Sequence, residues 1–479
     1  MLAPEEKPKL STKPYLAATP QFKSGSSSPR EFLERCLVDL TALEPKIGAF
    51  VDLNIEAARN AADASSARWR AGCPLSPIDG MPIGIKDIIE TADFPTENGS
   101  PIYFGWRSER DGASVAALRE AGAVILGKTV TTEFAATEPR GTRNPHDLRR
   151  TPGGSSSGSA AGVAAGMISA GLGTQVIGST VRPASYCGCI GLKVSVGALN
   201  RGGSFDGLSQ SVTGVLAATL EDAWQVASEI ASRAGGDPGY PGLFGPTSAP
   251  PPRMPSRVAF LETAGWAAAS PSAKAAMNDA LARLRGAKVE VVTRQLHAKV
   301  AGVEAVIKEA PALSMRINAW EWRWPLNYRN RDASKLSRTL LDRLAEAEAM
   351  SLDDYRRDIA QRDKNRALYA ELAGECEACI SLSPHRLRPW GLSRPATRAA
   401  RRTRPTSAFP RSRCRCSATK GFPWACRSRA SSTATPMPSP APPRSRGCSE
   451  TQTPASSADA FGALASVDLV FAEAGLYGR

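Results

Sequence analysis

Two serines in a stretch of very small residues are the first candidates for chemistry in this 479-residue chain. Residues 151–195 are mostly glycine, serine and alanine and contain no carboxylate; Ser155 and Ser179 each follow a glycine-containing turn. Small side chains let backbones approach closely and let N–H groups face a small ligand. The alternative is a flexible linker. The helical pattern of small residues over 160–170 and the apolar run that ends at Leu192 favour an ordered segment instead.

A serine hydroxyl is a poor nucleophile and needs a base within hydrogen-bond reach. The chain has only three histidines, and none lies in the glycine-rich stretch: His146, His297 and His385. A Ser-His-Asp triad is therefore disfavoured, and the base is expected to be a lysine. Lysine acts as a base only when neutral, so burial must lower its pKa from ~10.4 towards neutrality.

Three motifs occur in a particular order along the chain. Residues 80–87 read GMPIGIKD, residues 153–156 read GGSS and precede the small-residue helix, and residues 173–188 contain GTQVIGS followed by RPASYCG. Together they resemble the signature of the amidase signature family, serine hydrolases that use a Ser–cisSer–Lys triad. Three motifs in order are far more specific than a single glycine pattern. The resemblance covers residues 28–224.

The resemblance implies a role for each motif residue. Ser179 is the expected nucleophile, Ser155 the bridging serine in a cis peptide, and Lys86 the base. Taken alone, Lys86 would be interpreted as a surface lysine beside Asp87, and the two serine motifs reverse that interpretation. The residues whose backbone amides are expected to form the oxyanion hole are Val176, Ile177 and Gly178.

Two positions near the nucleophile depart from the usual motif. Ile177 stands where glycine or alanine is usual, and a β-branched side chain is costly there if the residue needs a positive φ. Gln175 and the spacing of Arg182 look like a malonamidase-type subgroup. Arg182 could bind a substrate carboxylate in bidentate fashion; the alternative is a structural salt bridge or a brace for the loop.

The resemblance implies an amidase that hydrolyses a carboxamide through an acyl-serine intermediate, without a metal or an organic cofactor. Within the family, the alternative is a glutaminase-like protein that resembles the A subunit of a tRNA-dependent amidotransferase and would need a partner chain. Another alternative is a catalytically inactive, truncated relic. The expected partner is a small-molecule amide, and the assembly considered is a homodimer.

The expected fold is α/β, an α/β/α arrangement in which helices cover both faces of a mixed, twisted sheet. The predicted divisions are a loosely attached arm over 1–27, an amidase domain over 28–383 with its core motifs in 80–224, an anomalous segment over 384–457 and an unassigned, helix-like tail over 458–479. Helical periodicity predicts the later helices, and their bounds are 273–284, 303–316, 334–350 and 351–373. No stretch has the length and apolarity of a membrane span.

Three tryptophans alternate with other residues in the region that is expected to cover the mouth of the site: Trp320, Trp322 and Trp324. They could line a pocket, and packing between helices is the favoured interpretation because large aromatic residues are usually buried.

The composition changes abruptly after residue 383. Residues 384–449 contain no Asp or Glu and fifteen Arg or Lys, which accounts for the whole net charge of +14. Arginine, proline, serine, alanine and cysteine are what GC-rich codons give when they are read out of frame, so we interpret 384–457 as a frameshifted part of the domain. The rival interpretation, a nucleic-acid-binding arm, is disfavoured because charge runs alone are weak evidence.

Cys376 and Cys379 have C-x-x-C spacing, but no second pair or nearby histidine accompanies them, so a zinc or redox site is disfavoured. Reduced thiols of this kind fit a cytoplasmic protein.

Overall fold

The computed structural model describes residues 10–136, 138–383 and 468–470, which all belong to one compact unit. The segment 384–457, with the frameshift and nucleic-acid hypotheses that concern it, lies outside the described residues. The strands are β1 (Phe50–Leu53), β2 (Pro82–Lys86), β3 (Val124–Thr129), β4 (Ala170–Gln175), β5 (Ile190–Lys193), β6 (Val212–Ala217), β7 (Arg257–Phe260), β8 (Glu290–Val292), β9 (Ala378–Ile380) and β10 (Asp468–Val470).

The helices of the described chain are α1 (Thr19–Ser24), α2 (Pro29–Ile47), α3 (Ile55–Arg70), α4 (Ala113–Glu120), α5 (Ser157–Ala164), α6 (Val181–Cys187), α7 (Leu220–Ala234), α8 (Ala264–Ala268), α9 (Pro271–Gly286), α10 (Ala298–Arg329), α11 (Arg338–Glu348) and α12 (Leu352–Ala370). Ser28 and Glu31 form a capping box at the start of α2, in which each side chain accepts a hydrogen bond from the backbone nitrogen of the other residue.

A seven-stranded mixed sheet in the order β1-β3-β2-β4-β6-β5-β10 forms the centre of the protein. β2 runs parallel to both neighbours, and β4 pairs with β6 in antiparallel fashion. Alternate residues of a strand point to opposite faces, and β3 shows this: Ile125 packs in one apolar cluster with Leu118 of α4, whereas Leu126 packs in another with Leu37 of α2. Helices therefore cover both faces, and the predicted α/β/α class is confirmed.

A second, smaller sheet consists of three parallel strands in the order β8-β7-β9. The predicted helices of this half of the chain are present with shifted bounds. The largest shift is in α10, which spans Ala298–Arg329 and continues through Pro311 and Pro325. Within the described part of the chain, no helix is both long enough and apolar enough to cross a bilayer.

Helix α5 approaches the sheet so closely that one position in it must be glycine. A Cβ atom on Gly158 would lie 2.1 Å from the carbonyl oxygen of Ala49 and 2.3 Å from the backbone nitrogen of Val130. Both are backbone atoms that a side-chain rotation cannot move away. This close packing sets the distance between the sheet and the loop that precedes α5, and that loop carries Ser155.

The N-terminal segment differs from the predicted loose arm. From residue 10 onward it packs on the domain: Tyr15 and Phe22 are fully buried, and their rings contact Phe32 and Trp69 edge to face. The carboxylate of Asp222 in α7 accepts hydrogen bonds from the backbone nitrogens of Tyr15 (3.1 Å) and Leu16. The polar composition of the segment predicted an arm, but the burial of Tyr15, Ala18 and Phe22 stabilises its packing on the domain.

Three residues of the unassigned tail are described, and they lie in the large sheet. The apolar residues of 458–479 have a helix-like pattern, but Asp468–Val470 form strand β10, antiparallel to β5. Strand pairing satisfies the backbone groups at the edge of the sheet, which a helix in the same place would leave open.

We expect Phe22→Ala to lower the free energy of unfolding by about 3–5 kcal/mol, because it removes a fully buried ring from an aromatic cluster. The matched control is Phe104→Ala, whose ring is 82% exposed and whose effect should stay within about 0.5 kcal/mol. Urea denaturation followed by circular dichroism measures both. Equal, small effects would mean that the N-terminal segment does not pack on the domain.

Candidate active site

Lys86 lies at the carboxyl end of β2, in the middle of the sheet and fully buried. Its Nζ lies 2.7 Å from Ser155 Oγ and 2.9 Å from Thr174 Oγ1 of the neighbouring strand β4. Burial lowers the pKa of Lys86 to about 7, and the negative charge of Asp206 opposes this change. A lysine with this pKa is substantially neutral near pH 7, so it can accept a proton from the hydroxyl that it contacts.

Ser155 belongs to the loop between β3 and α5. The Gly154–Ser155 peptide bond is cis, as the family resemblance implies, and Gly153 has a φ of +79°. The carbonyl oxygen of Ser155 accepts a hydrogen bond from the backbone nitrogen of Thr132 (3.2 Å). The Ser155 side chain is 1% exposed, so its hydroxyl faces Lys86 rather than solvent.

Ser179 lies on the turn between β4 and α6, directly beside the Ser155 loop. Its carbonyl oxygen accepts a hydrogen bond from the backbone nitrogen of Ser156 (3.1 Å). Its side chain is partly exposed, unlike that of Ser155. The structure gives no hydrogen bond between the Ser179 and Ser155 hydroxyls among its described residues. It thus brings Lys86 and Ser155 into contact, and places Ser179 next to them on the accessible side.

The turn that carries Ser179 is held from both ends. Gln175 Oε1 accepts hydrogen bonds from the backbone nitrogens of Thr180 (2.8 Å) and Val181 (3.0 Å). Within the described chain, none of the backbone N–H groups of residues 176–179 donates a hydrogen bond. A rigid turn with several free, neighbouring N–H groups has the donors that an oxyanion requires.

Ile177 does not have the positive φ that would be costly for its β-branched side chain. It is absent from the non-glycine residues with positive φ in the described chain, and its side chain is 45% exposed. The turn therefore accommodates isoleucine in an ordinary conformation, with the side chain directed outward.

Arg182 is the second residue of α6 and packs against Gly178. A Cβ atom at position 178 would lie 2.9 Å from Arg182 Nη2. Among the described residues Arg182 forms no ion pair, and its buried Nε has no hydrogen-bond partner. Burial lowers the pKa of this guanidinium. The described residues thus offer no acidic partner for the salt bridge considered as an alternative role of Arg182. The unsatisfied Arg182 Nε lies beside the turn that carries Ser179.

Sequence reasoning missed two residues of this site. Thr174 contacts Lys86 directly, and its place as the penultimate residue of β4 in the GTQVIGS motif could have indicated it. Asp206 is a buried carboxylate in the loop between β5 and β6. No motif marks Asp206, because its position depends on how that loop folds back over β2.

A second buried lysine lies close to Lys86 in the sheet but has different surroundings. Lys128 Nζ donates to the carbonyl oxygens of Ile89 (2.9 Å) and Pro95 and to Thr96 Oγ1, and lies 3.3 Å from Asp87 Oδ1. Burial raises the pKa of Asp87 to about 6 and lowers that of Lys128. Asp87 therefore pairs with Lys128 instead of with its neighbour in sequence, and Lys128 holds the turn that follows Lys86.

The wall beside the nucleophile turn is apolar. Val176 packs against a buried cluster that includes Phe134 and Trp322. Trp320 stacks on Tyr355, and Trp324 is 75% exposed and stacks on Tyr328. Of the three alternating tryptophans, only Trp322 thus joins the cluster beside the site, through helix packing.

The two buried lysines should respond differently to replacement by methionine. In Lys86, the folded-state pKa of about 7 lies below the ordinary lysine value of 10.5. The unfolded chain therefore binds more protons between these values, and stability rises with pH across that window. Lys86→Met removes this pH dependence. It should leave the unfolding free energy at pH 7 within about 2 kcal/mol of the parent, because relief of desolvation offsets the lost hydrogen bonds to Ser155 and Thr174.

Lys128→Met is the matched comparison, since it leaves the Asp87 carboxylate buried without its partner. We expect a loss of about 3–5 kcal/mol, measured by urea denaturation at pH 7 and pH 9. Similar losses in both variants would contradict the distinction between the two lysines.

Comparisons with known proteins place this site in a family. The sequence model of the Amidase family matches residues 31–373. A curated relative from Chloroflexus aggregans, the A subunit of glutamyl-tRNA(Gln) amidotransferase, is 43% identical over 222 residues, which is 45% of this chain and 46% of the relative. The chain thus matches about half the length of such relatives.

Solved structures agree with the family match. A crystal structure described as an amidase superposes with a TM-score of 0.67 and 25% identity, covering 79% of this chain and 84% of the other. The native peptide amidase of Stenotrophomonas maltophilia gives a TM-score of 0.60 and 26% identity, with 76% and 80% covered. With the family match spanning most of its length and the fold shared with solved amidases, the chain belongs to the Amidase family.

Proposed function

We propose that this chain hydrolyses a carboxamide through an acyl-enzyme on Ser179, with Lys86 as the base and Ser155 as the proton relay. The observation that carries the proposal is the contact between the fully buried Lys86 Nζ and Ser155 Oγ, at 2.7 Å. A buried amine in contact with a buried hydroxyl, next to an accessible serine, is the arrangement that moves a proton inward from a nucleophile.

The proposed first half-reaction forms an ester. Neutral Lys86 takes the proton of Ser155, Ser155 takes that of Ser179, and Ser179 Oγ attacks the carbonyl carbon of the amide. The carbonyl oxygen gains the negative charge, which the free N–H groups of residues 176–178 stabilise. When the C–N bond breaks, the proton returns from Lys86 through Ser155 to the leaving nitrogen, which departs as ammonia or an amine.

The second half-reaction repeats these proton transfers with water. A water molecule gives its proton to Ser155, attacks the acyl carbon, and the ester bond to Ser179 breaks. The products are a carboxylic acid and the regenerated serine. Lys86 ends neutral, so the cycle needs no external base.

Arg182 is our candidate for recognition of a carboxylate on the substrate. Its unsatisfied Nε and its packing against Gly178 support this role, since a partly buried guanidinium gains most from a bidentate anion. The substrate class that follows is a small amide that also bears a carboxylate, in keeping with the malonamidase-type resemblance.

The curated relatives favour a second candidate, a glutaminase-like component of an amidotransferase. Glutamine is itself an amide with a carboxylate, so the same site would serve, and the released ammonia would pass to a partner chain. The two candidates differ in whether this chain alone turns over its substrate. The buried thiols of Cys36, Cys187 and Cys189 support a reducing, cytoplasmic location for either candidate, and a homodimer stays a prediction.

We expect Ser179→Ala to lower ammonia release by at least about 10³-fold, while Ser232→Ala, a matched change on the remote helix α7, leaves it unchanged. The assay uses the full chain and a panel of primary amides with and without a carboxylate, including glutamine. The rate should rise with pH through about 7, because the base must be neutral and its pKa is about 7. Full activity in Ser179→Ala would refute the assignment.

We also propose that a frameshift precedes the arginine-rich segment 384–457. The absence of acidic residues from 384–449 supports this proposal, and the Amidase match ends at residue 373. Sequencing the coding DNA should reveal a missing or extra base near codon 384, and the frame-corrected chain should release ammonia faster than the present one. A DNA sequence that encodes residues 384–457 as they stand, with no missing or extra base, would overturn the proposal and favour an inactive relic.

A further inference from the structure

Asp206 is a buried carboxylate whose role the preceding chemistry does not explain. It is 2% exposed, and its two oxygens accept hydrogen bonds from Ser204 Oγ and Ser211 Oγ, both at 2.6 Å. Among the described residues, no arginine, lysine or histidine forms an ion pair with it. A buried carboxylate without a cation in contact is costly unless a positive charge lies nearby.

The loop that carries Asp206 is fastened to the turn that follows Lys86. Ser204 and Ile89 form an isolated antiparallel bridge. The backbone nitrogen of Phe205 donates to the carbonyl oxygen of Ile88 (3.0 Å), and that of Glu90 donates to the carbonyl oxygen of Gly203 (2.9 Å). These backbone contacts fix the position of Asp206 relative to the end of β2, where Lys86 lies.

We propose that Asp206 is a positioning residue for the reaction: its carboxylate, held by Ser204 and Ser211, supplies the counter-charge for the ammonium that forms on Lys86. The inference rests on the proposed function of Lys86. When Lys86 takes the proton from the serine relay, a cation appears in a buried place. The Asp206 carboxylate stabilises that cation through space, and it does not contact the substrate.

The other charges around Lys86 do not serve this purpose. On the neighbouring strand β3, Lys128 is paired with Asp87. Beyond β4, helix α6 carries Arg182, which is a cation. In the loop between β3 and α5, the buried carboxylate of Glu133 is paired with Arg140, and Ser155 itself contributes a hydroxyl. Asp206 is the charged group that raises the pKa of Lys86 against the effect of burial, so it keeps Lys86 basic enough to accept a proton.

The test compares Asp206→Asn with Asp237→Asn, an isosteric pair of changes. Asp237 anchors Arg201 of the same loop, because its carboxylate accepts hydrogen bonds from the Arg201 backbone nitrogen (2.8 Å) and Nε (2.6 Å). The readout is the rate at which a fluorophosphonate inactivates Ser179 in the full chain, measured from pH 5 to 10. This readout needs no knowledge of the natural substrate.

For Asp206→Asn we expect the midpoint of the pH profile to fall by about one unit, and the plateau rate to fall about 10-fold because a weaker base assists the attack. Asp237→Asn should leave the midpoint unchanged even if it lowers stability. An unshifted midpoint in Asp206→Asn, or an equal shift in both variants, would overturn the proposal.

Two further results keep the outcomes distinct. If the parent chain does not react with the fluorophosphonate, or reacts equally after Ser179→Ala, the proposed function fails rather than the role of Asp206. If Asp206→Asn does not fold, Ser211→Ala replaces it, because it removes one hydrogen bond to the carboxylate. It should move the midpoint in the same direction by a smaller amount, and no shift there would count against the proposal.

Discussion

The burial of one amine, that of Lys86, is the constraint on which the rest of the candidate site depends. A lysine in water keeps its proton at neutral pH, so it can serve as a base only where the surroundings exclude water. The seven-stranded sheet provides such surroundings, because β2 lies between two parallel neighbours and all five of its residues are buried. The small residues of α5 then allow a serine loop to approach within hydrogen-bond distance.

The site divides into an inner, dry part and an outer, accessible part. Lys86, Ser155 and Thr174 are buried and hold the proton-transfer groups, whereas Ser179 and the free N–H groups lie on a turn that a substrate can reach. Gln175 keeps that turn rigid from within. A low lysine pKa requires that water be excluded, whereas substrate entry requires an accessible surface. A single exposed cluster of these residues could not meet both requirements.

Sequence reasoning reached the fold class and brought Lys86 and Ser155 together because both depend on local motifs. Glycine spacing, small side chains and an apolar strand before a lysine are visible in one stretch of chain. Asp206 could not be found in this way, since its place beside β2 depends on backbone pairing between the segments around Ile88 and Phe205. The same limit explains the N-terminal segment: its polar composition is local, but the contacts of Tyr15 with Asp222 are not.

Those contacts have a consequence for the order in which the protein is built. The hydrogen bond between Tyr15 and Asp222 spans 207 residues, so this contact can form only after α7 has been synthesised. At about 5–20 residues per second, synthesis of the chain between these two residues takes roughly ten to forty seconds. During that time the rings of Tyr15 and Phe22 can already pack on Phe32 and Trp69, so the docking of this segment is completed in two separate stages.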